Sequence, residues 1–193
     1  MDAAVVYGSD AAEDARLRVV AEFEPANLHG EKELDRLLDA IAGMPLVLVL
    51  DGVQDPHNLG ACLRSADAAG VGLVILPRDG SSGLTPVARR AAAGAAEVMP
   101  ILLATNLARV LRRLKDRGLW LAGTTDRSEQ DLYQADLGGP LVLVMGREET
   151  GLGKGIANRC DRLVSLPMAG SVSSLNVSVA TGICLYEVVR QRR

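Results

Sequence analysis

Three short segments hold the side chains whose types and spacing could do chemistry. The first, Asp51–Gly60, leads into a helical stretch and carries Asn58, with Arg64 six residues further on. The second, Gly146–Gly155, is rich in glycine and carries Glu148. The third, Pro167–Asn176, ends on Ser174-Leu175-Asn176. Each follows an apolar run with the character of a strand, and in open α/β sheets ligands bind beyond the carboxyl ends of strands. Amide, guanidinium, hydroxyl and carboxylate groups gathered there could orient a polar substrate. Gly146, lacking a side chain, would let main chain approach a ligand. On residue type alone, plainer roles fit too. Asn58 could cap the helix beginning there, and Ser174 and Asn176 could cap the last one. Arg64 could be a solvated cation, Glu148 a surface carboxylate, and Gly146 with Leu166 and Leu175 a tight turn beside two core leucines. His57 invites assignment as a general base, and Cys62 points toward the core.

Several familiar chemistries fail on spacing. A phosphate loop needs Gly, four residues, then Gly-Lys and Ser or Thr. Here Gly155 follows Lys154, and Glu148 stands where the first glycine belongs. The G-x-G-x-x-G fingerprint follows none of the candidate strands, so nucleotide hydrolysis and a standard NAD site are disfavoured. Two distant histidines without a carboxylate cluster argue against a metal hydrolase. Cys62, Cys160 and Cys184 are odd in number and widely spaced, which predicts reduced thiols and neither disulfides nor zinc.

Composition narrows the class further. Of 193 residues 48% are hydrophobic, enough for a core and too many for a disordered chain. Aromatics make up 3%, which disfavours an RNA reader built on stacking platforms. No apolar run is long enough to span a bilayer, and the first residues lack the pattern of a signal peptide, so a soluble, cytoplasmic protein is expected. The net charge of −3 is uneven: residues 1–40 carry ten acidic and four basic side chains, the remainder fourteen and seventeen. That balance neither requires nor excludes nucleic acid.

The elements that must position these segments are legible from periodicity. Leu46–Leu50, Gly72–Leu76, Met99–Leu103, Leu119–Gly123, Leu141–Met145 and Arg162–Leu166 are the strands expected, several apolar at nearly every position as in sheets covered on both faces. Helices are expected over Asn58–Ala69, Pro86–Ala93, Asn106–Arg117 and about Ser174–Arg190. This alternation predicts an α/β fold with a largely parallel sheet. Residues 1–42 read as a short extension of one strand (Ala15–Phe23), a turn-rich link at 24–30 and a helix (Glu31–Ala42), ahead of a body at 43–193.

Taken together and in order, three runs carry a resemblance. They are Leu50-Asp51-Gly52-Val53-Gln54-Asp55-Pro56-His57-Asn58-Leu59-Gly60 continuing through Arg64 to Gly70, Leu143-Val144-Met145-Gly146-Arg147-Glu148-Glu149-Thr150-Gly151, and Leu166-Pro167-Met168 continuing through Ser173-Ser174-Leu175-Asn176 to Ala180. The chain resembles, over about residues 45–193, the SpoU (TrmH) type of RNA ribose 2′-O-methyltransferase in the SPOUT superfamily. Within that family it is most similar to members that methylate a guanosine ribose in 23S rRNA. The resemblance implies a mostly parallel sheet flanked by helices with a deep C-terminal trefoil knot, S-adenosyl-L-methionine as methyl donor, an RNA substrate and a homodimer. It implies donor contacts at Gly146, Leu166 and Leu175, and an acceptor site of Asn58, Arg64, Glu148, Ser174 and Asn176. Members of full length also carry an N-terminal RNA-binding domain that residues 1–40 are too few to hold, so a catalytic portion or a shortened relative is expected. A tRNA substrate, a non-catalytic RNA-binding factor on the same fold, and a binding module for another adenosine ligand are the alternatives.

Overall fold

The computed structural model describes residues 27–126, 128, 130–147 and 150–193. The strand expected over Ala15–Phe23 and the side chain of Glu148 lie outside them. Among the described residues, seven strands form one sheet: β1 (Leu28–Gly30), β2 (Leu46–Leu50), β3 (Leu73–Pro77), β4 (Ile101–Ala104), β5 (Trp120–Thr124), β6 (Leu141–Met145) and β7 (Arg162–Val164). Their order is β1-β4-β3-β2-β6-β5-β7, and every neighbouring pair is parallel. All carboxyl ends therefore open on one side of the molecule.

Alternation along each strand divides the core into two layers. Leu46, Leu48 and Leu50 of β2 face α2 (Pro56–Ala68), α3 (Pro86–Ala92), α4 (Ala95–Val98) and α7 (Val177–Gln191), as do Leu141, Leu143 and Met145 of β6. Val47, Val49, Val142 and Val144 face the other way, onto Leu34, Leu37 and Leu38 of α1 (Leu34–Asp39) and Val110, Leu111 and Leu114 of α5 (Leu107–Asp116). The short α6 (Lys154–Ala157) packs Ile156 against that second layer. Each fully buried Leu or Val contributes about 1.5–3 kcal/mol relative to an exposed one. That is why β2 and β6, apolar throughout, sit at the centre.

The structure corrects several expectations. The link at 24–30 ends in a strand, because Leu28–Gly30 pairs with β4 through main-chain hydrogen bonds begun by Ile101 N–H to the Asn27 carbonyl at 2.9 Å. Three residues are too few to show a side-chain period. The helix expected over Glu31–Ala42 opens with a 3₁₀ turn at Glu31–Glu33 and ends at Asp39. Helix α2 starts at Pro56, not at Asn58. Asp55 caps it, its carboxylate accepting from His57 N at 2.9 Å, and proline fits the first turn because its missing N–H is not needed there. Asn58 is thereby free of the capping duty.

Helices α2 and α3 meet at Gly60. A Cβ there would lie 2.3 Å from the Ala88 carbonyl oxygen and 2.5 Å from Ala91 Cβ. Backbone cannot swing aside, so Gly60→Ala should lower stability by about 2 kcal/mol even though alanine favours helix. Urea unfolding monitored by circular dichroism checks this, and an unchanged midpoint would mean the two helices slide apart at no cost.

Candidate active site

Beyond the carboxyl ends of β5, β6 and β7 lies a cavity of about 420 Å³. Three loops and the start of α7 build it. Thr124, Thr125 and Asp126 come from the end of β5; Gly146, Arg147, Thr150 and Gly151 from the loop after β6; Leu166, Met168, Ser173, Ser174 and Leu175 from the loop after β7; Val177 and Ala180 from α7. Of the residues singled out from sequence, Gly146, Leu166, Ser174 and Leu175 line this cavity, and Asn176 stands between Leu175 and Val177 as the cap of α7.

Gly146 sits where a side chain cannot. An added Cβ would fall 2.2 Å from the carbonyl carbon of Gly151 and 2.3 Å from the nitrogen of Leu152. The close approach that glycine permits is to the chain's own loop, which doubles back so that Arg147 and Gly151 exchange main-chain hydrogen bonds of 3.2 and 3.0 Å. Arg147 and Gly151 are thus locked to each other, and with Gly146 and Thr150 they form part of the cavity lining.

The first and third sequence segments meet through side chains. Asn176 Nδ2 donates to Asn58 Oδ1 at 2.9 Å, while Asn176 Oδ1 accepts from Ser178 N at 2.9 Å and from the Ser178 hydroxyl at 2.6 Å. One asparagine therefore caps α7 and ties it to the start of α2. Deeper between the same helices, Cys62 Sγ donates to Thr181 Oγ1 at 3.5 Å, both buried. Burial pushes the Cys184 thiol up to about 12 and, with help from the Asp161 charge, Cys160 to about 11. Neither is a thiolate nucleophile near neutral pH.

Arg64 is not brought to this cavity by its own chain. Six residues from Asn58 along α2 amount to about 600° of rotation, leaving Arg64 about 120° around the helix from it. It is exposed and does not line the cavity. His57 is likewise exposed and outside the lining.

Sequence reasoning missed two contributors. Thr124–Asp126 follow β5, and applying the rule of carboxyl ends to that strand would have found them. Arg147 was legible only with the structure. Gly52, at φ +85°, has no Cβ, and the Arg147 side chain crosses above it with Nε 2.6 Å from where that Cβ would stand. Beyond it lies Asp51, half-buried, whose carboxyl is pushed above its usual range by burial and pulled back by the Arg147 charge.

The cavity suits a donor of nucleoside size. Its volume falls within the roughly 300–1,000 Å³ of small-molecule sites, with apolar walls and a few convergent polar groups. Leu166, Leu175 and Val164 supply apolar lining, and Thr124 and Asp126 supply polar lining. Among the described residues no group of three His, Cys, Asp or Glu side chains could hold a metal ion, and no helix is long and apolar enough to cross a membrane.

Comparison with known proteins agrees with this geometry. Residues 45–186 match the model of the SpoU rRNA Methylase family. The chain is 60% identical over 175 residues to the 23S rRNA (guanosine-2′-O-)-methyltransferase RlmB of Pseudomonas putida, covering 91% of this chain and 71% of that protein. Among solved structures it is similar to the SpoU methyltransferase AviRb from Streptomyces viridochromogenes, with a TM-score of 0.77 and 32% identity over 87% of this chain and 65% of that one. The complex of AviRb with the cofactor AdoMet aligns at a TM-score of 0.74 and 33% identity, over 80% and 61%. With its parallel sheet, its cavity past β5, β6 and β7, and a match across most of its length, the chain belongs to the SpoU rRNA methylase family.

Proposed function

We propose that this protein transfers a methyl group to the ribose 2′-hydroxyl of a guanosine in 23S rRNA. The observation that carries the reading is the Asn58–Asn176 hydrogen bond, which fastens the start of α2 to the rim of a nucleoside-sized cavity built on Gly146, Leu166 and Leu175. S-Adenosyl-L-methionine, held there by main chain and apolar side chains, supplies when bound an electrophilic methyl on a sulfonium whose charge disappears on transfer. The chain's own residues must align the ribose and ease removal of a proton from a poorly acidic hydroxyl. Ser174, exposed on the rim, offers a hydroxyl to the ribose, and the Asn58–Asn176 pair fixes the direction from which it enters. Glu148 orients Asn58 or Arg64 in this scheme. A protonated guanidinium has five N–H donors and no acceptor, so Arg64 is not the base and the hydroxyl proton leaves to solvent. It grips the target phosphate and stabilises the alkoxide as it develops.

Because Arg64 does not reach its own cavity, the reading requires a second copy of the chain. Val179, Ile183 and Tyr186 lie at helical spacing on α7, with Val179 and Tyr186 each 51% exposed. Helix α2, which carries Arg64, packs beside α7. A homodimer closed over this apolar stripe brings Arg64 of one protomer toward the other protomer's cavity. The family's trefoil knot goes with the same reading, since the loops after β6 and β7 share the cavity. Acting on ribosomal RNA, such an enzyme works in the cytoplasm.

The test is incorporation of labelled methyl from the donor into unmethylated 23S rRNA fragments and, in parallel, into total tRNA. Label in 23S rRNA alone is expected. Label in tRNA alone would transfer the activity to the other substrate class, and donor binding without any label would leave a non-catalytic RNA factor.

A further inference from the structure

A second cleft, of about 480 Å³, runs between α5 and the residues just after α6. Its lining includes Arg109, Arg112, Lys115 and Arg159, with Asn106 and Asn158, and no carboxylate. Two of the four cations have structural duties. Arg109 pairs with Glu31, and Lys115 with Asp161 at 2.6 Å. Further round α5, Arg113 and Arg117 are neutralised by Asp35 and Asp39 of α1. Arg112 and Arg159 are different: both are exposed, and neither has an acidic partner among the described residues. Among the described residues the Arg159 guanidinium donates to the Gly155 carbonyl of its own turn. Helix α5 thus has one cationic face zipped to acidic α1, and toward the cleft it presents Arg112 without an acidic partner among the described residues, beside Arg159.

The cleft is joined to the donor cavity by a short stretch of chain. Thr150 and Gly151 line the cavity, and Asn158 and Arg159 line the cleft. Arg159 lies eight positions after Gly151, a span of at most roughly 28 Å even if extended. A long polyanion engaged at the first site can therefore extend to the second.

We infer that this cleft is a docking track for the sugar-phosphate backbone of the substrate RNA, gripping phosphates away from the nucleotide that reacts. The inference rests on the reading of the chain as an RNA methyltransferase. Two guanidinium groups without acidic partners among the described residues, set beside two further cations, suit phosphodiesters, and the lining offers no aromatic platform for bases. Contacts of this kind hold and orient RNA without reading its sequence. The track adds affinity, while the choice of nucleotide stays with the donor cavity and its rim.

The experiment uses the full chain and its Arg112→Ala/Arg159→Ala double variant with a 23S rRNA fragment transcribed in vitro. Affinity is measured across a salt series, and methyl transfer under saturating and subsaturating RNA. Each phosphate contact contributes about 0.7–0.9 to the slope of log affinity against log salt. The double variant should therefore lose about 1.4–1.8 from the slope and roughly 20-fold in affinity at about 0.15 M salt. KM for RNA should rise accordingly, with kcat, donor affinity and melting temperature unchanged. A slope and KM equal to those of the unaltered chain, with methylation intact, would overturn the track and leave the function standing. Loss of slope in the variant from a chain that never methylates RNA would support the track and overturn the function. Wild-type RNA binding indifferent to salt would overturn the track outright.

Discussion

Replacing Gly146 with alanine is expected to weaken S-adenosyl-L-methionine binding at least about 100-fold and to silence methyl transfer. The added methyl would stand 2.2 Å from the Gly151 carbonyl carbon, 2.3 Å from Leu152 N and 2.6 Å from the Gly151 oxygen. All three are main-chain atoms, so no rotamer change relieves the overlap. The loop must instead open, breaking the paired hydrogen bonds between Arg147 and Gly151 and moving the wall of the cavity. Overpacking of this kind costs about 1–3 kcal/mol, and a hundredfold loss of affinity corresponds to about 2.7 kcal/mol. Gly153→Ala is the matched control, since a Cβ there meets nothing within 4 Å. Calorimetry with the donor distinguishes the two. An affinity for Gly146→Ala within threefold of the unaltered chain would mean that this loop does not hold the donor.

Replacing Arg64 with alanine should behave in the opposite way. Donor affinity should be unchanged, because Arg64 is outside the lining of its own cavity and toward the partner's cavity it grips the RNA phosphate, not the donor. The rate of methyl transfer should fall by about 10²–10³, the loss usual when a single donor to a developing oxyanion is removed. Arg64→Lys keeps the charge and loses the planar fork that grips phosphate at two points. It should restore only a small part of the rate. Single-turnover kinetics at saturating RNA, followed against pH, provide the measurement. Recovery of most of the rate with lysine would make the bidentate role untenable.

What the sequence made legible follows physical rules that act locally. β2 and β6 fall where expected, Leu46–Leu50 and Leu141–Met145, because a strand covered on both faces must be apolar at every position. β1 escaped, since its three residues are held by the main chain of β4 and leave no side-chain signature. The start of α2 was misread at Asn58 although Asp55-Pro56 is itself a start signal, an acidic cap followed by proline. In the candidate site, the rule that loops after parallel strands gather ligand contacts pointed to the three segments, while the choice of Gly146, Leu166, Ser174 and Leu175 within or beside them came from the family resemblance; all four line the cavity. Arg147 could not be found in that way. Its position depends on a missing Cβ at Gly52, almost a hundred residues earlier, and only the folded chain brings the two together. Arg64 shows the converse limit: spacing placed it on α2 near Asn58, and helical rotation turned it away from the cavity of its own chain.

The central claim is that one protomer's donor loop works with Arg64 of a second, and mixing two inactive variants tests it most directly. Gly146→Ala and Arg64→Ala chains, each inactive alone, are unfolded together, refolded at equal concentration and assayed with 23S rRNA. Random pairing would make about half the dimers mixed, and each mixed dimer would combine one intact donor loop with one intact Arg64 facing it. The account predicts return of about a quarter of the activity of the unaltered protein. Activity no higher than that of either variant alone, in a mixture shown to contain mixed dimers, would contradict it.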